Sequence, residues 1–177
     1  MDLTRSLHQR LGLFPDLGEM RDGKIRYLMM RPDVLMGMFA ALPAGIRAQA
    51  LDALAASVAL NGGKSVQVYR DSGAAEPGQM MRTIVATSAE LGWGLWRFDV
   101  RSETLIEVSV DNSPFATAAG FSDMPACAAI RGMLTAIAAL LMPPDRPDAP
   151  PPAVGEVSCH AMTGSGPCRF TIRAVPD

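Results

Sequence analysis

The residues of this chain best suited to chemistry are its three cysteines, Cys127, Cys159 and Cys168, two of which fall in the turn-rich segment GEVSCHAMTGSGPCRF. Glu156 stands three residues before Cys159, and Gly164 and Gly166 lie between Cys159 and Cys168, so two thiols and a carboxylate can converge across a hairpin. Cys127 is the natural fourth arm. A thiolate-rich set completed by one carboxylate suits zinc, a borderline-soft ion that accepts sulfur and oxygen in a tetrahedral shell. The same three residues have a second reading, as small buried hydrophobes, which is a common use of free cysteine. Four protein ligands would leave no open coordination position, so zinc held by Cys127, Glu156, Cys159 and Cys168 is expected to be structural. Neither histidine joins the set. His8 has no companion at metal spacing, and His160, adjacent to Cys159, would point to the opposite face of a regular strand.

These residues need a helix and a sheet to position them. From Ala126 to Leu141 the chain is rich in Ala and Leu and nearly free of charge, which predicts a helix buried against a sheet, with Arg131 as its one cation. GWGLWRFDV and ETLIEVSV alternate polar with apolar residues and read as an antiparallel hairpin joined at Arg101-Ser102, with Trp93 and Trp96 on opposite faces. Asn112-Ser113-Pro114 ends that hairpin, and the loop through Pro125 is a candidate pocket lid. Strands around Glu156 to His160 and Cys168 to Arg173 close the sheet. Residues 143–152, PPDRPDAPPP, form an exposed polyproline linker.

The N-terminal third reads as helical. Leu3, Leu7, Leu11 and Phe14 share one face of a helix over residues 2–14, ended by Pro15. IRYLMM has the length and residue types of a strand that should join the sheet. Pro32 opens a helix bearing Leu35, Met36, Phe39 and Leu42, interrupted at Pro43. A second helix carries Ile46, Ala50, Leu54 and Val58 and is expected to stop at Asn61-Gly62-Gly63. SVQVYRD fits either strand or helix, and Pro77 initiates a helix through Leu91.

Several of these segments resemble a known family. The run VDNSPFA, the PAC that precedes the Ala/Gly-rich helix, and the closing GEVSCHAMTGSGPCRF are similar to the 4-vinyl reductase-like domain family, most strongly over residues 106–173 and, through GEMRDGKIRYLMMRPDVLMGMF, over most of the chain. That family includes a bacteriochlorophyll-pathway protein, archaeal hydrocarbon-binding proteins and the sensor domains of phenol- and toluene-responsive activators; Bet-type subunits of a vesicle-tethering complex share its fold. In the aromatic sensors a Cys, a Glu and two further Cys bind zinc, and the resemblance carries these roles to Cys127, Glu156, Cys159 and Cys168. The proline-rich insert lengthens the path from Cys127 to Glu156 but falls in a turn segment.

A length of 177 residues allows one domain with a substantial core, and 49% hydrophobic content fits a globular chain. The expected architecture is α+β: an antiparallel sheet of about four to five strands packed against a layer of helices, with a helical part over 1–62 and a sheet and zinc part over 63–177. A net charge of −2 without any Lys/Arg run speaks against nucleic acid. The amphipathic start lacks the apolar core of a signal peptide, and no later stretch has the length of a membrane span, so the expected location is the cytoplasm. An odd number of cysteines agrees with reduced thiols or metal ligation. Twelve methionines supply adaptable apolar lining. The resemblance therefore implies a zinc-containing domain that binds a hydrophobic small molecule (aromatic, hydrocarbon or tetrapyrrole-like) as sensor or carrier, and a homodimer through the N-terminal helices. The alternatives are an enzyme or accessory factor acting on a vinyl tetrapyrrole in bacteriochlorophyll synthesis, and a protein-protein interaction module. Ser-His-Asp sets, phosphate loops, dinucleotide fingerprints and paired carboxylates are all missing from the sequence, so a non-enzyme is expected.

Overall fold

The computed structural model describes residues 5–143, 146 and 148–175. Leu3 of the expected N-terminal helix, and Pro144, Asp145 and Pro147 of the proline-rich insert, lie outside the described residues. The architecture is α+β, with two antiparallel sheets of three and four strands.

Alternation in the sequence builds the larger sheet directly. Strands β4 (Leu95–Ser102), β5 (Leu105–Asp111), β6 (Ala153–Ser158) and β7 (Cys168–Arg173) pair in the order β4-β5-β7-β6. Ile106, Val108 and Val110 are buried while their neighbours on β5 are not, and the register sets Trp96 beside Val110 and Val110 beside Cys168. Helix α6 (Ala128–Leu141) lies on this inner face through Ile130, Leu134, Ile137 and Leu141, a helical stripe that closes the core. The turn of the β4–β5 hairpin falls at Glu103-Thr104, two residues later than expected, because an irregularity between Val100 and Ser102 carries the ladder past Arg101.

Helix α2 (Pro32–Ala40) starts at proline as predicted, but α3 (Ala44–Asp71) runs straight through Asn61-Gly62-Gly63. Two glycines cost about 1 kcal/mol each in a helix interior. Packing outweighs that cost: the buried stripe Leu51, Ala55, Val66, Tyr69 continues across the glycines, and Gly62 lies against Met133 of α6. SVQVYRD is therefore helix. The contact between α3 and α6 is made close by Gly132, and Arg131 pairs with Asp52 of α3 at 2.5 Å. Helix α4 (Pro77–Glu90) follows, with Met80 and Ile84 buried.

The N-terminus departs most from expectation. Among the described residues of the helix expected over 2–14 there is one turn, α1 (Leu7–Arg10), closed by a capping box between Ser6 and Gln9, and then β1 (Gly12–Phe14). Pairing explains the change, since β1, β2 (Glu19–Asp22) and β3 (Ile25–Tyr27) form their own meander with Leu13 opposite Met20 and Met20 opposite Tyr27. The strand from IRYLMM thus joins this small sheet, not the large one, and ends at Tyr27. Arg10 Nε binds Asp22 Oδ2 at 3.1 Å, with 8% and 5% of the two side chains exposed, and the Leu7 amide donates to the Glu90 carboxylate.

Candidate metal centre and adjoining cavities

The fold brings Cys127, Glu156, Cys159 and Cys168 together. Their ligand atoms all lie within 4.8 Å of one another, and the three thiols are buried. A tetrahedral ion with arms of about 2.3 Å needs ligand edges of about 3.8 Å, so small side-chain adjustments would close the shell. Each member arrives by a different local device. Cys127 occupies the N-cap position of α6, and Cys168 opens β7 on the inner face of the sheet. On β6, Glu156 pairs in register with Phe170 of β7, and a bulge between Glu156 and Ser158 resets the alternation. The strand then gives way to a single turn, α7 (His160–Thr163), with Cys159 at its N-cap. Residues three apart on a regular strand face opposite ways; the bulge and the turn let Glu156 and Cys159 face the same way.

Hydrogen bonds around the sulfurs favour a thiolate at Cys168. The amide of Ala126 donates to Cys159 Sγ at 3.4 Å, that of His160 donates to Cys168 Sγ at 3.3 Å, and the Cys127 thiol donates to Cys168 Sγ at 3.3 Å. Cys168 is pulled down to about 4, chiefly by the hydrogen bond from Cys127 and then by that with Cys159. Hydrogen bonds with Cys159 and Cys168, together with burial, push the Cys127 thiol far up. Burial, then the neighbouring Cys159, raises the Glu156 carboxyl to about 9, and its Oε1 is buried with no hydrogen-bond partner. An orphaned carboxylate oxygen beside three sulfurs is costly as it stands. A soft dication would satisfy it, and the donor set fits zinc. His160 stays apart: it starts α7, and its ring Nδ1 meets the Gly166 carbonyl at 3.0 Å.

Ser113 was not singled out by sequence reasoning, which took Asn112-Ser113-Pro114 only as a strand break. Its hydroxyl caps α5 (Pro114–Ala119), accepting from the Ala116 amide at 3.4 Å, and lies 3.1 Å from Cys127 Sγ. Serine followed by proline is a helix-start signature that would have placed it.

Two apolar cavities of about 360 and 330 Å³ share Tyr27, Leu91 and Trp93 as a common wall. The first is walled by Leu11, Met20 and Phe115, the second by Tyr69, Ile84 and Met133. Trp93 does not sit opposite Trp96 on a strand. It precedes β4, where its amide donates to the Ser88 carbonyl at 2.8 Å, and its ring stands edge-on to Phe115 at 5.2 Å. Trp96 is core, 2% exposed.

No family model matches this sequence, and no curated protein matches it. Among solved structures, the phenol-responsive sensory domain of the transcription activator PoxR, determined with phenol, is similar with a TM-score of 0.75 over 95% of this chain and 86% of that one. The two sequences are 14% identical, so the likeness is one of fold. No helix among the described residues is long and apolar enough to cross a membrane.

Proposed function

We propose, from a fold shared with a phenol-responsive sensory domain, that this protein binds a hydrophobic small molecule in its paired cavities and acts as a sensor or carrier without chemistry of its own. The observation that carries this reading is the pair of apolar cavities with a common Tyr27, Leu91 and Trp93 wall, each within the size range of small-molecule sites. In the same reading Cys127, Glu156, Cys159 and Cys168 hold a structural zinc that ties β6 and β7 to the start of α6.

Native mass spectrometry of the purified protein, with metal analysis of the same sample, tests both parts. One zinc per chain and a released apolar mass are the expected result. Leu91 borders both cavities, so Leu91→Trp should fill them and lower the affinity for an added aromatic such as toluene by about tenfold or more, the scale of one lost apolar contact set. Unchanged toluene binding in that variant would remove the ligand from these cavities.

Homodimerisation through the N-terminal region belongs to the same reading. Met29 is 82% exposed, and Leu28, Val34 and Met38 are exposed beside it. Light scattering after size exclusion should give twice the chain mass, and Leu28→Glu with Met29→Glu should give a single chain. A monomeric parent protein would sink this element.

A further inference from the structure

The four candidate ligands differ in how they can be reached. Cys127, Cys159 and Cys168 are 0%, 1% and 0% exposed and belong to the hydrophobic core. Glu156 is half-buried, and of the four it alone borders a cleft of about 300 Å³ that shares no lining residue with the two apolar cavities. Ala48 and Asp52 of α3, Ala128 and Arg131 of α6, and Val154 of β6 wall this cleft. Ala48 and Asp52 are exposed, and the Asp52–Arg131 pair bridges the two helical walls. Glu156 therefore joins a solvent-facing cleft to the sulfurs, with a carboxylate oxygen within 4.8 Å of each. The ligands also differ in how freely they can move. Cys168 opens β7, which is paired on both sides by β5 and β6, whereas Glu156 lies on β6, which is paired by β7 alone. The bulge between Glu156 and Ser158 interrupts even that ladder. An edge strand with an interrupted ladder opens locally at a fraction of the cost of unfolding the core.

Building on the proposed zinc, we infer that this cleft is the port through which the metal centre loads and releases its ion, with Glu156 as the arm that closes last and leaves first. An ion enclosed by four protein ligands in a packed interior needs an entry path, and the choice of path is limited here. A path past the sulfurs would disturb the start of α6, the α7 turn and the inner strand β7 together, all of them packed in the core. A path past Glu156 displaces one side chain on an edge strand. Small residues keep it clear, since Ala48 and Ala128 each offer the cleft no more than a methyl group. The size of the cleft also sets the class of exchange partner: it admits a small chelating molecule, of the thiol or aminocarboxylate type, and not a folded metal carrier.

Transfer of zinc from the loaded protein to the chromophoric chelator pyridylazoresorcinol, followed by absorbance, tests the port. The series is the parent, Ala48→Leu and Ala48→Phe, which fill the cleft from an exposed position, and Ala53→Phe, an equally bulky change at an exposed position of α3 outside the cleft. In the parent the release rate should rise with chelator concentration. It should slow about threefold in Ala48→Leu and about tenfold or more in Ala48→Phe, and stay within about twofold in Ala53→Phe, with one zinc per chain throughout. Equal rates across the series would overturn the port. So would a parent rate independent of chelator concentration, the mark of release limited by unfolding of the chain. Should Ala48→Phe fail to fold, Ala48→Leu decides alone, and unslowed release from it overturns the inference. A parent protein that carries no zinc would instead sink the metal reading itself, and the port with it.

Discussion

Cys168→Ser should leave the protein without zinc and without a stable C-terminal hairpin. The sulfur of Cys168 accepts from Cys127 and from the His160 amide, and β7, which it opens, pairs with both β5 and β6. Structural zinc binding is worth on the order of 10 kcal/mol, comparable to the whole stability of a domain. Losing even half of that corresponds to a fall in Tm of about 15 °C in a chain of this size. Scanning calorimetry with parallel metal analysis reads the outcome. Glu156→Gln supplies the discriminating sign. If a dication sits at the site, neutralising Glu156 weakens its hold and lowers Tm. Without a metal, the substitution relieves a buried carboxyl that burial has already pushed up to about 9, and Tm holds or rises. A parent protein that purifies metal-free with an unchanged transition, and a stabilised Glu156→Gln variant, would remove zinc from the account.

The second large effect is expected at two glycines of opposite character. A Cβ on Gly132 would stand 2.3 Å from the Ala55 carbonyl oxygen and 2.9 Å from Val58 Cβ, so α3 and α6 would have to part. Alanine gains about 1 kcal/mol of helix propensity there, but forced repacking costs about 3 kcal/mol, for a net loss of about 2 kcal/mol. Gly63 sits inside α3 with nothing within 4 Å of its would-be Cβ, and the same replacement should stabilise by up to about 1 kcal/mol. Chemical denaturation of Gly132→Ala and Gly63→Ala checks the pair. Two effects of the same sign would contradict the close helix contact.

What the sequence made legible was periodic or motif-like. The stripe on α6 and the β4–β5 alternation each repeat a single period over many residues, so the core could be anticipated. Cys127, Glu156, Cys159 and Cys168, which the structure gathers, were named by their spacing together with the family resemblance, since spacing alone left the cysteines open to a reading as small buried hydrophobes. Features that rest on contacts between distant segments stayed hidden. Gly62 and Gly63 signal a helix stop locally, and only the Met133 contact and the continuing burial of Val66 and Tyr69 overrule them. Leu7 and Leu11 have helical spacing, yet pairing of Gly12 to Phe14 with β2 claims the chain after one turn. The bulge after Glu156 cannot be read from Val157, and the cavity wall that Tyr27 and Tyr69 share joins residues that no local pattern relates.

Ser113 touches the Cys127 sulfur, and two residues on, Phe115 presents its ring to Trp93 in the cavity wall. If the proposed zinc and the proposed ligand both bind, the first turn of α5 links their sites and the two equilibria form a thermodynamic square. Whatever factor separates the cavity's affinity in the zinc-loaded and zinc-free protein must reappear, unchanged, as the ratio of zinc affinities of the filled and empty cavity. Zinc supply would then set the protein's threshold for its ligand, and ligand supply would set how firmly it keeps its zinc.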